Sequence, residues 1–415
     1  MKAVVFTLGC KVNECESDSL ITGLENLGYE VSDKLVPADL YIVNTCAVTN
    51  EAEKKSRQMA SRIKKLSPNA KIVFTGCAVQ KNPEQFMDKS ADFLLTGVFN
   101  KGEILSLLNQ SGNHISAPCT EFEELLLTKS LRTRAYVKVQ DGCNNFCSYC
   151  IIPYLRGRNR ARNPESVKKE ILSLGAKEVV INGINLSAYD YNGINLTGLI
   201  KSLKDLPVRI RLGSLEVNII DREFLSALKE LKDFAPHFHL SLQSGSDSVL
   251  KKMNRHYTTK EYLEKVNLIR EYFADAGITT DIIVGFPTES ENDFLETVEF
   301  VKSVGFSDIH PFPFSSRSGT VASKMKDLPA YVKKQRLDKL LEIKKECKKD
   351  FALKMKGKEL DFLFEEFKDG YAVGYTQNYL RIYIKNYKKK SQNQIEKVLV
   401  VEPYLEGAIA EQKGE

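Results

Sequence analysis

The sequence predicts an α/β protein with two parallel α/β regions in series and a small all-β barrel at the C-terminal end. Short apolar runs alternate with helical patterns over residues 1–112, and the alternation resumes over residues 131–355. Strands that alternate with helices are typical of parallel sheets. Over residues 356–415 the pattern changes to short strands with turn residues between them. These three segments are the predicted domains, and the polar segment 113–130 is the predicted linker.

The first predicted domain has three strands, and each of them is closely followed by a cysteine. Helical patterns separate the strands, so the three should be parallel neighbours. The predicted strands are residues 3–6, 40–43 and 71–74, and the helices are residues 13–27 and 51–66.

The second predicted domain has six strands in series with helical patterns between most of them. Six βα units are too few for a closed eight-stranded barrel and predict an open, partial (βα)6 barrel. The predicted strands are residues 135–139, 178–181, 208–212, 238–242, 280–284 and 308–312, and the clearest helices are residues 259–276 and 290–303. A charged helix at 329–355 leads to the last predicted strands, at 359–364, 371–375, 379–384 and 398–401.

Composition predicts a cytoplasmic protein with no membrane attachment. No stretch approaches the ~20 apolar residues that span a bilayer, and the first ten residues do not form a signal peptide. Nine cysteines in such a protein indicate metal or redox chemistry rather than disulfides. Most of the net charge of +6 lies after residue 330, which suggests a polyanionic partner, although a solvated Lys-rich helix explains it equally well.

Three cysteines form a C-x3-C-x2-C motif directly after the first strand of the second domain. Thiolates of Cys143, Cys147 and Cys150 can bind three irons of a [4Fe–4S] cluster and leave the fourth iron open. An open iron can chelate S-adenosylmethionine and pass an electron to its sulfonium group. Zinc is the alternative metal, but a structural zinc site needs four ligands and no fourth Cys or His lies nearby in the sequence. The motif therefore favours a radical-generating cluster.

Three further cysteines are far apart in the sequence, but each lies just beyond one of the first three strands. Cys10, Cys46 and Cys77 should meet at the carboxyl edge of the sheet, where ligands bind. This placement predicts a second [4Fe–4S] cluster with one open iron. The alternative is three small buried core residues. Cys15, Cys119 and Cys347 match neither set and are predicted to be ordinary thiols.

Several longer motifs resemble the methylthiotransferases of the radical S-adenosylmethionine superfamily, and the resemblance covers essentially the whole chain. It is carried by the three N-terminal cysteines and by residues 139–153, 240–246, 253–258 and 283–287. Among the branches of this family, the chain looks most like the enzymes that modify N6-threonylcarbamoyladenosine at tRNA position 37, on residues 140–142, 183–189 and 240–243. Residues 312–317 depart slightly from the usual pattern, which affects the expected substrate pocket.

The resemblance implies two [4Fe–4S] clusters, two molecules of S-adenosylmethionine and insertion of a methylthio group at C2 of the adenine. It also implies a last domain of the RNA-binding TRAM type. Residues within the cysteine loop or just after the strands are the candidate cofactor contacts. They are Phe146, Tyr149, Gly183, Asn185, Ser214, Glu216, Gln243, Arg255 and Gly285. Each polar member of this set could instead be a helix cap or a loop contact.

Two groups of residues are predicted to contact RNA. Arg156, Arg158, Arg160 and Arg162 alternate after the cysteine loop, so an extended segment would put all four on one side, facing phosphates. The last domain interleaves aromatic and cationic residues, which suits stacking and charge together. These candidates are Tyr379, Arg381, Tyr383 and Lys385. The alternatives are a solvated charged loop for the arginines and ordinary strand packing for the tyrosines.

The expected partners are the anticodon stem-loop of tRNA, an external electron donor and a sulfur source, and the expected state is a monomer. Two alternative activities stay open within the family: modification of isopentenyladenosine in tRNA and modification of an aspartate in a ribosomal protein. A third alternative is an iron–sulfur RNA-binding protein without catalysis.

Overall fold

The computed structural model of the chain describes residues 1–87, 93–125, 127, 129, 131–388 and 394–413. Parts of the predicted linker (126, 128 and 130) and of the predicted last domain (389–393 and 414–415) lie outside the described residues. Within the described part of the chain, no helix combines the length and the apolar composition needed to cross a bilayer.

The first sheet is parallel, with strand order β2-β1-β3-β4-β5-β6. Its strands are β1 (Lys2–Thr7), β2 (Glu30–Ser32), β3 (Leu40–Thr45), β4 (Lys71–Gly76), β5 (Leu94–Leu95) and β6 (Gly112–Asn113). Its helices are α1 (Lys11–Asn26), α2 (Asn50–Leu66) and α3 (Cys77–Lys81). Both faces of the sheet bury apolar clusters, and all six residues of β3 are buried. The three predicted strands are confirmed at its centre, and three short strands flank them.

The central region is an open barrel of six parallel strand positions. Its six positions are β7 (Arg134–Asp141), β9 (Glu178–Gly183), β12 (Arg209–Leu212) continued by β13 (Ser214–Leu215), β14 (His237–Leu240), β15 (Gly277–Val284) and β16 (Asp308–Pro313). Three short strands lie outside these six positions: β8 (Arg160–Ala161), β10 (Asp190–Tyr191) and β11 (Ile194–Asn195). Its helices are α4 (Ile152–Leu155), α5 (Pro164–Ser173), α6 (Leu196–Ser202), α7 (Arg222–Glu230), α8 (Asp247–Lys252), α9 (Thr259–Tyr272) and α10 (Glu291–Val304).

The largest apolar core lies between these strands and their helices, as binary patterning requires. Capping boxes fix the starts of α9 and α10, through Thr258 with Glu261 and through Ser290 with Asp293. The predicted six-unit partial barrel is therefore confirmed.

The long helix α11 (Ala330–Met355) connects the open barrel to a closed five-stranded barrel. The middle of α11 packs in the central core through Leu340 and Ile343, and its end packs in the last core through Phe351 and Met355. The closed barrel consists of β17 (Glu359–Lys368), β18 (Tyr371–Thr376), β19 (Arg381–Lys385), β20 (Ile395–Tyr404) and β21 (Gly407–Gln412). This confirms the predicted all-β barrel.

Candidate active site

The central trio, Cys143, Cys147 and Cys150, lies on one loop that begins where β7 ends. The turn into the loop needs glycine, because a Cβ on Gly142 would lie 1.9 Å from the carbonyl oxygen of Arg158. The Gly142 φ of +70° also favours glycine. On the far side, the backbone N–H of Ser148 donates to the carbonyl of Met253 at 3.0 Å. The loop is therefore held at both ends by neighbouring segments of the barrel.

Hydrogen-bond donors surround the sulfur atoms of the central trio. Cys143 Sγ accepts from the Asn145 backbone N–H at 3.3 Å and lies 3.7 Å from the Asn185 side-chain amide. Cys147 Sγ accepts from Arg255 Nη1 at 3.4 Å. Burial raises the pKa of Cys150 to about 12, so without a metal this group stays a neutral thiol. Such donors stabilise thiolates that bind iron, which is how hydrogen bonds tune iron–sulfur centres.

The N-terminal trio, Cys10, Cys46 and Cys77, is assembled from three separate strand ends. A Cβ on Gly9 would lie 2.8 Å from the Cβ of Cys46, so the loops after β1 and β3 are in contact. Burial raises the pKa of Cys46 to about 12, and the charges of Cys77 and Cys10 add to that effect. Three cysteines from distant parts of the sequence therefore lie at one edge of the sheet, as predicted.

Arg156 connects the two trios through a fully buried ionic network. Its guanidinium donates to Cys77 Sγ at 3.4 Å, to both carboxylate oxygens of Glu16 at 2.9 and 3.2 Å, and to both of Asp141 at 3.1 Å. Lys138 and Lys101 also pair with Glu16. Asp141 immediately precedes the turn into the central loop, and Glu16 lies on α1. One side chain therefore ties the N-terminal trio to the strand that carries the central trio.

A single cavity of about 990 Å³ reaches both trios. All three members of the central trio line it, together with Cys10, whereas Cys46 and Cys77 lie buried behind Cys10. Most of the predicted cofactor contacts line it as well. These are Tyr149, Gly183, Asn185, Ser214, Glu216, Gln243 and Arg255. A volume of this size is typical of sites for small molecules and cofactors.

Two predicted cofactor contacts lie elsewhere. Phe146 is partly exposed and packs against Tyr154, with the Arg158 guanidinium 4.5 Å above its ring. Gly285 packs against α11, since a Cβ there would lie 2.5 Å from Cγ of Lys333. Neither residue lines the cavity, so the prediction that these two residues contact the cofactor there is corrected.

The wall of the cavity beside the central trio is a connected polar network. Arg255 Nη1 and the Asn145 side-chain amide both donate to Glu216 Oε1, each at 2.9 Å. The same Arg255 nitrogen reaches Cys147. The cation is therefore held between the Glu216 carboxylate and the Cys147 sulfur, with its position fixed before any ligand arrives.

Among the described residues, no three His, Cys, Asp or Glu side chains form a group that could hold a metal ion as they stand. Each trio offers three thiols, which is the number that a [4Fe–4S] cluster with one open iron requires.

The prediction that four arginines share one RNA-facing side is wrong. The segment is not extended: α4 precedes Arg156, the chain turns at Gly157, and β8 covers only two residues. Arg156 is fully buried, Arg160 bonds the carbonyls of Arg156 and Arg158, and Arg162 pairs with Glu170. Of the four, Arg158 alone is exposed.

The predicted RNA contacts of the last domain lie in different environments, and not all of them are on the outer surface. Tyr379 stacks on His237 at 4.4 Å and on Tyr375 at 4.6 Å, so it forms the floor of the cavity rather than an outer surface. Tyr383 is buried against other tyrosines, and Arg381 lines the cavity at its lower end. Lys385 is the exposed member of this group.

Sequence reasoning missed several basic residues that line the cavity. Arg134, Arg211, His237 and His239 come from strands of the open barrel, and Lys11 comes from the start of α1. The available signal was the alternation of charged residues in an otherwise buried strand such as β12. A strand whose outer face is covered by helices can direct polar side chains only inward.

Comparison with known proteins gives a consistent result. The Radical SAM superfamily matches residues 137–301, and the uncharacterized protein family UPF0004 matches residues 2–97. A threonylcarbamoyladenosine tRNA methylthiotransferase MtaB from Bacillus subtilis is 35% identical, covering 98% of this chain and 96% of the relative. The protein of that name from Aquifex aeolicus is 40% identical over 88% of this chain and 93% of its own.

The chain belongs to the radical SAM methylthiotransferases. The family relationship accounts for the cofactors, which are [4Fe–4S] clusters and S-adenosylmethionine. A tRNA-2-methylthio-N(6)-dimethylallyladenosine synthase from Thermoanaerobacter sp. (strain X514) is also similar, at 36% identity over 86% of this chain and 81% of the relative.

A solved structure supports the fold of this methylthiotransferase. The radical S-adenosylmethionine methyltransferase TsrM from Kitasatospora setae, described with cobalamin and a [4Fe–4S] cluster bound, aligns with a TM-score of 0.53 at 16% identity. The alignment covers 75% of this chain and 74% of that chain. At this identity the likeness shows a shared fold.

Proposed function

We propose that this methylthiotransferase inserts a methylthio group at C2 of N6-threonylcarbamoyladenosine at position 37 of tRNA. The main observation in support of this proposal is that one cavity is lined by the central trio and by Cys10 of the N-terminal trio. Replacement of an unactivated aromatic hydrogen by a sulfur group needs chemistry that side chains cannot supply. The relatives named MtaB, at 35–40% identity over most of the chain, support this choice of substrate.

The central trio would hold one [4Fe–4S] cluster and the N-terminal trio a second. When bound, the clusters and S-adenosylmethionine supply the electron, the radical, the methyl group and the sulfur. The chain's own residues do the positioning. Arg255, fixed by Glu216, would pair with the carboxylate of S-adenosylmethionine, and Asn185 and Ser214 offer polar contacts at the strand ends.

The exposed residues would bring the RNA to the mouth of the cavity. Arg158 and Lys385 are the retained phosphate contacts, and the closed barrel serves as an RNA-binding module. We further propose a cytoplasmic monomer that receives electrons and sulfur from external donors.

Nucleoside analysis of tRNA tests the substrate. In a strain that lacks the gene, mass spectrometry should show loss of the methylthio form of threonylcarbamoyladenosine, and the unmethylthiolated nucleoside should accumulate. Restoring the gene should restore the product. Loss of the isopentenyladenosine derivative instead would assign the chain to the other tRNA branch, which the relatives named as dimethylallyladenosine synthases represent.

A further inference from the structure

The part of the cavity below the strand ends carries polar groups that lack partners. We call Lys11, Arg211 and His237 the lumen cluster. All three line the cavity, and they come from α1, β12 and β14. None of the three supplies a thiol.

Lys11 is an exposed cation that forms no close ion pair within the part of the chain that the structure describes. It is the first residue of α1 and follows Cys10 directly, and its amine makes no hydrogen bond or ion pair with any described residue. The start of α1 adds positive potential, because the side chain of Cys10 does not cap the helix. An unpaired ammonium on a cavity wall suits an anionic ligand.

Arg211 and His237 contribute buried nitrogen atoms that have no partner. Arg211 Nε and Nη2 are engaged with Glu178 at 2.6 and 3.2 Å, but Nη1 is buried without a hydrogen bond. His237 Nε2 lies 2.9 Å from the hydroxyl of Thr279, and its Nδ1 is likewise unpartnered. The Arg211 side chain is only 3% exposed, and a buried donor of this kind is normally satisfied by a partner.

Two members of the lumen cluster act electrostatically on the third. Burial lowers the pKa of His237, and the charges of Arg211, His239 and Lys11 lower it further. Four of the five acids that line the cavity are committed to other partners. Asp281 pairs with His239, and Asp308 pairs with Lys344 and Lys348. Glu216 pairs with Arg255, and Glu406 pairs with Lys348.

The remaining acid, Glu14, lies on α1 and also lines the cavity. Its charge acts on Tyr136 of β7 and on Arg132, whereas the charge of Lys11 acts on His237 and on Asp281 of β15. Lys11 therefore lies near the wall that carries the free donors, with Glu14 one helical turn away on the same side of α1.

We propose that Lys11 and Arg211 bind the carboxylate of an amino-acid substituent on the target adenine. This proposal rests on the proposed function and names the part of the substrate that this wall recognises. Residue 211 lies three positions before Ser214 at the strand end, about 10 Å along the strand. A nucleobase held at the strand ends can reach that far with a short amino-acid chain on N6.

The same wall disfavours an apolar substituent. A dimethylallyl group would leave the Arg211 and His237 nitrogens buried without partners, and sites built to bind a polar group discriminate strongly against analogues that lack it. The lumen cluster is therefore a specificity determinant between the two tRNA branches. A carboxylate is also present on S-adenosylmethionine, so the experiment must separate the two sources.

The test uses the full chain reconstituted with its clusters, and anticodon stem-loop RNA that carries threonylcarbamoyladenosine as the free acid or as the methyl ester. For the free acid, Lys11→Gln should raise KM about tenfold or more while kcat changes little. Lys11→Arg, which keeps the charge, should restore most of the affinity. Lys302→Gln, which removes an exposed charge on α10, is the matched control and should behave as wild type.

The ester supplies the deciding comparison. Wild type should bind the ester as weakly as Lys11→Gln binds the acid, and Lys11→Gln should lose nothing further on the ester. Equal losses on acid and ester would overturn the proposal. So would weaker binding of S-adenosylmethionine in Lys11→Gln without RNA, which would assign the carboxylate to the cofactor. A wild-type enzyme that leaves the acid RNA unmodified would defeat the proposed function itself, and with it this inference.

Discussion

The two cysteine trios adjoin one cavity but are built in different ways. The central trio lies on a single loop, and nearby backbone and side-chain donors hold its sulfur atoms. The N-terminal trio comes from three strand ends, and it exists only when the sheet is folded and its loops touch. The central site is therefore a local motif, whereas the N-terminal site depends on tertiary structure, and the two should respond differently to mutation.

Arg156 links the two sites. It comes from the segment after the central loop, yet it contacts Cys77 of the N-terminal trio and Glu16 of α1. The N-terminal site is therefore held in part by a residue from the segment that follows the central loop. This buried network therefore contributes to the relative placement of the two sites.

The largest effect should come from the central trio. Cys150→Ala should reduce cleavage of S-adenosylmethionine and formation of product to background, because both depend on the central cluster. Anaerobic assays that measure 5′-deoxyadenosine and the methylthio nucleoside together would show this. Cys347→Ala, at a cysteine on α11 that belongs to neither trio, is the matched control and should retain both activities.

A more selective loss should follow from the N-terminal trio. Cys46→Ala should retain reductive cleavage of S-adenosylmethionine but form no methylthio product, since the second cluster is proposed to carry the sulfur. The same paired assay applies. Product formation in Cys46→Ala at the wild-type rate would mean that the two sites do not have separate tasks.

Arg156→Met should destabilise the protein by about 3–5 kcal/mol, because it leaves Glu16 and Asp141 buried with too little positive charge. The two cysteine sites should also respond differently to this substitution: the variant should lose iron from the N-terminal site before it loses iron from the central site. Urea unfolding and iron analysis of the same samples measure both effects. Arg158→Met, at an exposed position in the same segment, should shift stability by less than about 0.5 kcal/mol.

The smallest effect should come from Arg255→Gln, which keeps the loop but removes the cation beside Cys147. The dissociation constant for S-adenosylmethionine should rise about tenfold, as expected for loss of one charge-assisted hydrogen bond. Binding to the RNA stem-loop should not change. An unchanged cofactor affinity would leave Arg255 with only its structural bonds to Glu216 and to Tyr257.

Sequence patterns predicted the parts of this protein that depend on local order. Strand and helix alternation indicated both parallel regions, and the spacing of Cys143, Cys147 and Cys150 indicated their shared role. Cys10, Cys46 and Cys77 could be grouped because parallel strands end at one edge of a sheet.

What failed was the assignment of isolated charged residues. Arg156, Arg160 and Arg162 alternate in the sequence as a surface strand would, but a short helix and a turn interrupt the segment, and buried acids from other elements pair with the side chains. Tyr379 similarly looked like an RNA-stacking residue, but the last barrel packs it against His237. Such contacts arise between distant elements, so periodicity within one segment does not reveal them.

The iron content of the chain tests the central claim most directly. After anaerobic reconstitution, the wild-type protein should hold about eight irons, as two cubes, and a variant with all three of Cys10, Cys46 and Cys77 replaced by alanine should hold about four. Mössbauer spectra should show only [4Fe–4S] clusters in both. About four irons in the wild type, or no difference between the two proteins, would contradict the account.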